Sequence, residues 1–213
     1  MNELNQQKEV ILIGYSGHGF VAADIFLNAG YKLIGYCDNS EKKLNPFSLS
    51  YTGSEKNDSV IQLLGKHGYF VAIGENNIRK RIYDSLTAKI GKPVNAIHPS
   101  AVISSFTTLK DGIFIAAKAT INPLVQIGTG VICNTSCSID HECVIEDFAH
   151  IGPGAVLCGN VSIGELSFIG AGSVIKQGIN IGKNVTIGAG AVIVKNVPDN
   201  SIVIGNPQKI LTK

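Results

Sequence analysis

The sequence predicts a small α/β layer followed by a parallel β-helix, and three observations carry that reading. An aliphatic residue recurs every six positions through the second half of the chain. Glycine or asparagine often follows three positions later, where a tight corner needs positive φ. The first ninety or so residues instead alternate short apolar runs with helical patterns, the grammar of βαβ units.

The α/β layer comes first. Residues 9–14 read as a buried strand, 19–28 as a helix and 31–37 as a second strand. The first connection, Gly14-Tyr15-Ser16-Gly17-His18-Gly19, is small enough for backbone to approach a phosphate at a helix N-terminus. Asp38 closes the second strand, where a carboxylate can meet a ribose hydroxyl. A helix over 58–66, a strand over 69–74 and a helix over 77–86 complete a three-stranded, Rossmann-like layer. Ligands gather at the carboxyl ends of such strands, which puts Ser16, Gly17, His18, Asp38, Gly74 and Asn76 on one edge. Ser16 stands where the dinucleotide fingerprint has its second glycine, and the layer is about half a full dinucleotide module, so a mononucleotide is expected rather than NAD. The same glycines also serve plain helix–strand packing. Lys92 and Pro93 mark the boundary, and a strand over 94–97 feeds the second part.

Counting in sixes from Ile97 to Ile193 gives seventeen positions, all Ile or Leu except Cys133. Four positions after each come mostly small or β-branched residues, such as Ala101, Ala119, Val125, Ala149, Ser173 and Ala191, so both sets face inward. Gly or Asn occupies nine of the seventeen corner positions, Gly112 the first and Asn196 the last. Strands too short to bury a face alone must stack coil upon coil, and three sides of six residues make a coil of eighteen. The expected division is 1–93 for the nucleotide-binding layer, 94–198 for the prism and 199–213 for a capping tail.

Composition narrows the function. The 18 Lys+Arg against 16 Asp+Glu leave a net charge of +2, too weak a field to gather nucleic acid or an anionic membrane. No apolar run reaches membrane-spanning length, and the opening MNELNQQKEV has no secretory pattern, so no membrane insertion and a cytoplasmic location are expected. The five cysteines lack paired zinc-type spacing and read as reduced packing residues, with no metal.

Chemistry points to one histidine. His141 falls at a corner, two residues after an inward aliphatic, between Asp140 and Glu142, so its ring is expected outside the prism beside carboxylates. One coil later Gly159 stacks at the same corner, where a missing side chain leaves room for a ligand and a backbone N–H. His150 lies half a coil from His141, so the two rings leave different sides of one chain; if they serve one site, it lies between parallel prisms, with a homotrimer the simplest closed arrangement. A structural role on an outer face is an equal reading of His150.

Ser16-Gly17-His18-Gly19, Asp38, the run from Ala72 to Lys80, Ile97-His98-Pro99-Ser100-Ala101, His141-Glu142-Cys143-Val144-Ile145, His150 and Gly205-Asn206-Pro207 together resemble the bacterial sugar O-/N-acetyltransferases. These form a sialic acid O-acetyltransferase-like family within the hexapeptide-repeat acyltransferases, and the pattern is most similar to the enzymes acetylating UDP-4-amino-4,6-dideoxy sugars on the bacillosamine route. The resemblance spans nearly the whole chain. It implies a left-handed coil, acetyl-CoA as co-substrate without a metal, and transfer to the amine of a nucleotide-linked amino sugar for cell-surface glycan synthesis. By the same resemblance His141 is the general base and Glu142 orients it, while His150 contacts acetyl-CoA with backbone at Gly159, Ala171 and Ala189. The nucleotide sugar rests on Ser16, Gly17, His18, Asp38, Asn39 and Gly74. Asn39 departs from relatives with a second acidic residue there, and residues 44–52 diverge. O-acetylation of sialic acid or another sugar is the alternative, since nothing in the base separates an alcohol acceptor from an amine.

Overall fold

The computed structural model describes residues 8–211; the polar opening Met1 to Gln7, on which the expectation of no secretory signal rests, lies outside them. The first part runs β1 (Glu9–Ile13), α1 (Gly17–Asn28), β2 (Lys32–Cys37), β3 (Tyr51–Gly53), α2 (Asp58–Lys66), β4 (Gly68–Val71) and α3 (Asn76–Ile90). The strands form one parallel sheet in the order β3-β2-β1-β4. Central β1 has its Val10-Ile11-Leu12-Ile13 run buried on both sheet faces, as a doubly covered parallel strand requires.

The sheet has four strands, not the three expected. Strand β3 is a three-residue edge within reach of Tyr36, whose N–H donates to Ser50 O at 2.9 Å and whose carbonyl accepts from Thr52 Oγ1 at 2.9 Å. So short an edge has no periodicity to read. The last strand also stops early, at Val71, which frees residues 72–75 to form a turn. Helix α3 then starts at Asn76, where the Glu75 carboxylate accepts from the N–H of Asn77 (3.0 Å) and Ile78 (2.6 Å), and runs past Leu86 to Ile90 before Gly91 at φ +85° ends it.

Seventeen two-residue strands follow, from Ala96–Ile97 to Val192–Ile193, each ending on a residue of the six-residue period. Each pairs in parallel with the strands one coil before and after, as in Ile121↔Ile139↔Leu157. Three flat sheets result. We call the one containing Ile97, Ile115, Cys133 and Ile151 the first face, that of Ile103, Ile121, Ile139 and Leu157 the second, and that of Leu109, Ile127, Ile145 and Ile163 the third. Their aliphatics and the small fourth-position residues form one core, in which Cys133, Cys137 and Cys143 sit as free thiols. A hairpin, Ile202–Ile204 with Lys209–Leu211, continues the first face at the far end.

Every corner from Gly112 to Gly190 has positive φ, and six of them are neither Gly nor Asn: Lys118, Leu124, Ser136, Glu142, Phe148 and Leu166. Coil geometry therefore overrides a preference of about 1–2 kcal/mol per residue. Asn196, expected as such a corner, is the exception: it leaves the left-handed region and its Oδ1 accepts from the Asn180 N–H at 2.9 Å.

The α/β layer rests on the first face. Phe114 and Ile132 point out of the prism there and join Val10, Leu12, Phe26 and Phe70 in a shared apolar cluster. This fixes the two parts as one packed body. Within the prism core, Ile151 is wholly buried between Cys133 and Ile169. Ile151→Ala should lower stability by about 2–5 kcal/mol, read as a shift of the urea midpoint at fixed protein concentration. A loss below about 1 kcal/mol would show that the stack collapses freely around a void.

Candidate active site

A cavity of about 880 Å³ opens at the carboxyl ends of β1, β2 and β4, lined among others by Ser16, His18, Asp38, Asn39 and Gly74. Five of the six residues expected to hold a nucleotide sugar thus share one wall; Gly17 is the first residue of α1 just behind it. Asp38 is anchored before any ligand arrives: its Oδ2 accepts from Tyr15 N–H (3.1 Å) and its Oδ1 from Asn39 N–H (2.8 Å) and Lys42 Nζ (2.9 Å). Ser16 precedes α1 without capping it, which leaves its hydroxyl exposed at the helix N-terminus. Gly19 lets α1 pack down, since an added Cβ would meet Gly14 O at 2.5 Å. Lys42, Lys56, Arg81 and Lys89 add positive charge to the rim. None of these cations carries a motif, so the sequence gives no hint of them.

His18 reaches across to the prism. Its ring packs on Phe114 at 4.4 Å between centroids, and its buried Nε2 has no hydrogen-bond partner among the described residues. Burial first, then the neighbouring His150 and Arg79, push its pKa down to about 3. His150 needs a correction: it does leave the prism on the first face, but that face is covered, and the side chain is 8% exposed rather than open to a groove. Its Nδ1 lies 3.3 Å from Gly74 O and its Nε2 3.2 Å from Asn134 Nδ2, which fits a neutral ring protonated on Nδ1. Burial and then Arg79 push its pKa down to about 4. Arg79, absent from the residues singled out by sequence, is 2% exposed at this seam.

His141 stands at the corner between the second and third faces, its side chain 47% exposed. Its Nδ1 is 3.0 Å from Glu142 Oε2, and its backbone N–H donates to Asp140 Oδ1 at 2.8 Å. The Asn122 amide bonds that same oxygen at 2.8 Å and, with the His141 N–H, holds the Asp140 carboxyl below its usual range. Gly159 lies directly against the ring, because an added Cβ would overlap it. The N–H groups of Gly159, Ala171 and Ala189 donate to no protein acceptor among the described residues. Ala171 and Ala189, however, sit at the corner between the first and second faces, one coil apart. One chain therefore gathers His141, Glu142 and Gly159 at one corner and sets His150, Ala171 and Ala189 elsewhere.

Residues 9–86 match the PglD N-terminal domain, residues 142–177 the six-repeat bacterial transferase hexapeptide, and residues 160–195 the hexapeptide repeat of succinyl-transferase. The acetyltransferase domain of PglB from Neisseria gonorrhoeae FA1090, solved with acetyl coenzyme A, is 35% identical with a TM-score of 0.90, covering 96% of this chain and 100% of that one. The chain belongs to the bacterial sugar acetyltransferases of the hexapeptide-repeat class. This family membership makes the coil a left-handed β-helix behind a Rossmann-like layer. Among curated members of the family, GDP-perosamine N-acetyltransferase of Escherichia coli O157:H7 is 36% identical over 101 residues, 47% of this chain and 46% of that protein. UDP-N-acetylbacillosamine N-acetyltransferase of Bacillus subtilis (strain 168) is 30% identical over 112 residues, 52% of each. The chain thus spans about half the length of the curated relatives it matches. Among the described residues no group of three His, Cys, Asp or Glu side chains is placed to hold a metal, and no helix is long and apolar enough to cross a membrane.

The two seam histidines should make the stability depend on pH. Unfolded imidazoles take a proton near pH 6.5, whereas folded His18 and His150 stay neutral down to about 3 and 4. The unfolded state binds more protons between those limits, so stability should fall with pH from about 6.5 to about 4. His150→Gln should flatten that fall in urea midpoints relative to wild type. Parallel curves would mean that His150 is protonated equally in both states.

Proposed function

We propose that the protein transfers the acetyl group of acetyl-CoA to the amine of a nucleotide-linked amino sugar, with a UDP-4-amino-4,6-dideoxy sugar the first candidate and a GDP-linked one the carrier raised by the Escherichia coli relative. The observation that carries it is the His141–Glu142 pair beside a side-chain-free Gly159, in a chain that also bears a nucleotide-sized cavity. In this reading residues 1–93 hold the nucleotide sugar, 94–198 carry acetyl transfer, and 199–213 cap the coil.

The chemistry follows from the geometry. Glu142 accepts from Nδ1–H, so the Nε2 lone pair faces outward to take a proton. The sugar amine attacks the thioester carbonyl, its N–H proton passes to Nε2, and the tetrahedral oxyanion collapses with loss of the CoA thiolate, which the imidazolium reprotonates. Glu142 stabilises that imidazolium, as the carboxylate does in other His-carboxylate pairs. The Gly159 N–H is the donor proposed for the oxyanion, a contribution of roughly 3 kcal/mol for one donor. The Ala171 and Ala189 N–H groups, left without protein acceptors among the described residues, line the acetyl-CoA path. No step needs a metal.

The site is shared between protomers of a homotrimer. The cavity is lined by the α/β layer that packs on the first face, and the His141 corner joins the second and third, so a neighbour's corner is the one to meet a pocket. Leu124 and Phe106, 58% and 72% exposed, occupy the same corner row as Glu142, one and two coils before it, and a second copy would cover them. A cytoplasmic site of action fits a nucleotide-sugar substrate.

Thiol release from acetyl-CoA against UDP-, dTDP- and GDP-linked amino sugars, with free sialic acid as rival acceptor, tests the reaction. His141→Ala should cost at least about a hundredfold in turnover with acetyl-CoA affinity retained. Equal losses in both would reduce His141 to a shaper of the groove. Mixed trimers of His141→Ala and Gly74→Trp, each inactive alone, should regain about a quarter of the wild-type activity, since one neighbour supplies each intact half. No recovery would put the whole site within one chain.

A further inference from the structure

Arg79 is the most deeply buried charged side chain among the described residues, and no carboxylate pairs with it. All five of its N–H donors nonetheless find acceptors. Nε donates to Gly130 O (2.8 Å), Nη1 to Ile73 O (3.1 Å) and Gly74 O (3.0 Å), and Nη2 to Asn76 Oδ1 (2.9 Å) and Phe148 O (2.8 Å). A guanidinium has five donors in a rigid fork, so this cage is complete and leaves none for a ligand.

The partners lie on two separate parts of the chain. Ile73 and Gly74 form the turn after β4 that lines the nucleotide cavity. Gly130 and Phe148 are successive coils of one prism corner, and Leu166, one coil further, takes Asn76 Nδ2 at 2.9 Å. Arg79 and Asn76 thus bind three consecutive coils while gripping the turn. Gly74 O receives His150 Nδ1 as well, at 3.3 Å. An apolar side chain would hold a domain seam together; a caged guanidinium fixes a distance and an angle.

Resting on the acetyltransferase reading, we propose that Arg79 is a positioning residue for the nucleotide sugar: it bolts the Ile73–Gly74 turn to the prism coils and so sets where the pocket presents the amine. It touches neither substrate. Lysine cannot replace it, because three donors on one nitrogen cannot reach oxygens on both the turn and two coils.

The test is steady-state kinetics of intact trimer for Arg79→Lys and Asn76→Ala. Arg79→Lys should raise KM for the nucleotide sugar by at least about tenfold and leave KM for acetyl-CoA within about twofold. Asn76→Ala, which keeps most of the cage, should shift the same constant by about threefold. Calorimetry with UDP and GDP alone should show the matching loss of affinity. A role confined to folding lowers the amount of active trimer and leaves both KM values unchanged; that result, or an equal rise in both, overturns the proposal. Should Arg79→Lys not fold, a wild-type KM in Asn76→Ala overturns it. Wild-type trimer that binds neither nucleotide and releases no thiol would instead sink the underlying acetyltransferase reading.

Discussion

Stacking one aliphatic residue over another every eighteen positions forces the chain around a corner every six, and the site chemistry depends on how that corner is made. In an extended strand, neighbouring side chains leave opposite sides, so adjacent His and Glu residues would not meet. At the corner Glu142 adopts φ +59°, which breaks the alternation. Both side chains then project outward and approach to 3.0 Å. A left-handed residue costs a β-carbon-bearing side chain about 1–2 kcal/mol, and here the coil imposes it on Glu142 as it does on Lys118 and Leu124 with no catalytic purpose. The strain belongs to the fold, and the pair of side chains exploits it.

Charge is distributed to match. His18, His150 and Arg79 cluster at the seam with no carboxylate in an ion pair among the described residues, and burial depresses all three pKa values, with Arg79 down to about 9 although the Glu75 carboxylate pulls it back up. Two neutral rings beside a caged cation are poor acids and bases at neutral pH, and so the seam is suited to holding geometry. The His141 corner is the opposite case, half exposed and flanked by the Asp140 and Glu142 carboxylates.

Much of this was legible in the sequence because it repeats. Seventeen hits at a fixed interval define the prism, the register and the outward direction of His141 from counting alone. What counting misses are features set by contacts between distant segments. β3 exists because Tyr36 offers an edge, and three residues hold no pattern. His150 reads as an outer-face residue, which it is for the prism, until the α/β layer closes over it. Arg79, on a helix between Ile78 and Ile82, resembles any solvated helix arginine; its burial depends on carbonyls 51 and 69 residues away.

The separation of the two half-sites within a chain has its own logic. The α/β layer occupies the first face and bears the cavity, while His141 and Glu142 stand at the corner of the other two faces. On the proposed trimer, each occupied face would lie beside a neighbour's bare corner, and every groove would combine a pocket from one copy with the His141 corner of the next. In that arrangement the reacting atoms would be aligned by two registers, the proposed prism-to-prism contact and the seam that ties pocket to prism. An error in the second moves the amine as surely as an error in the first, and this is why the seam is tied by directional hydrogen bonds from Arg79, Asn76 and His150 in addition to the apolar cluster around Phe114 and Ile132.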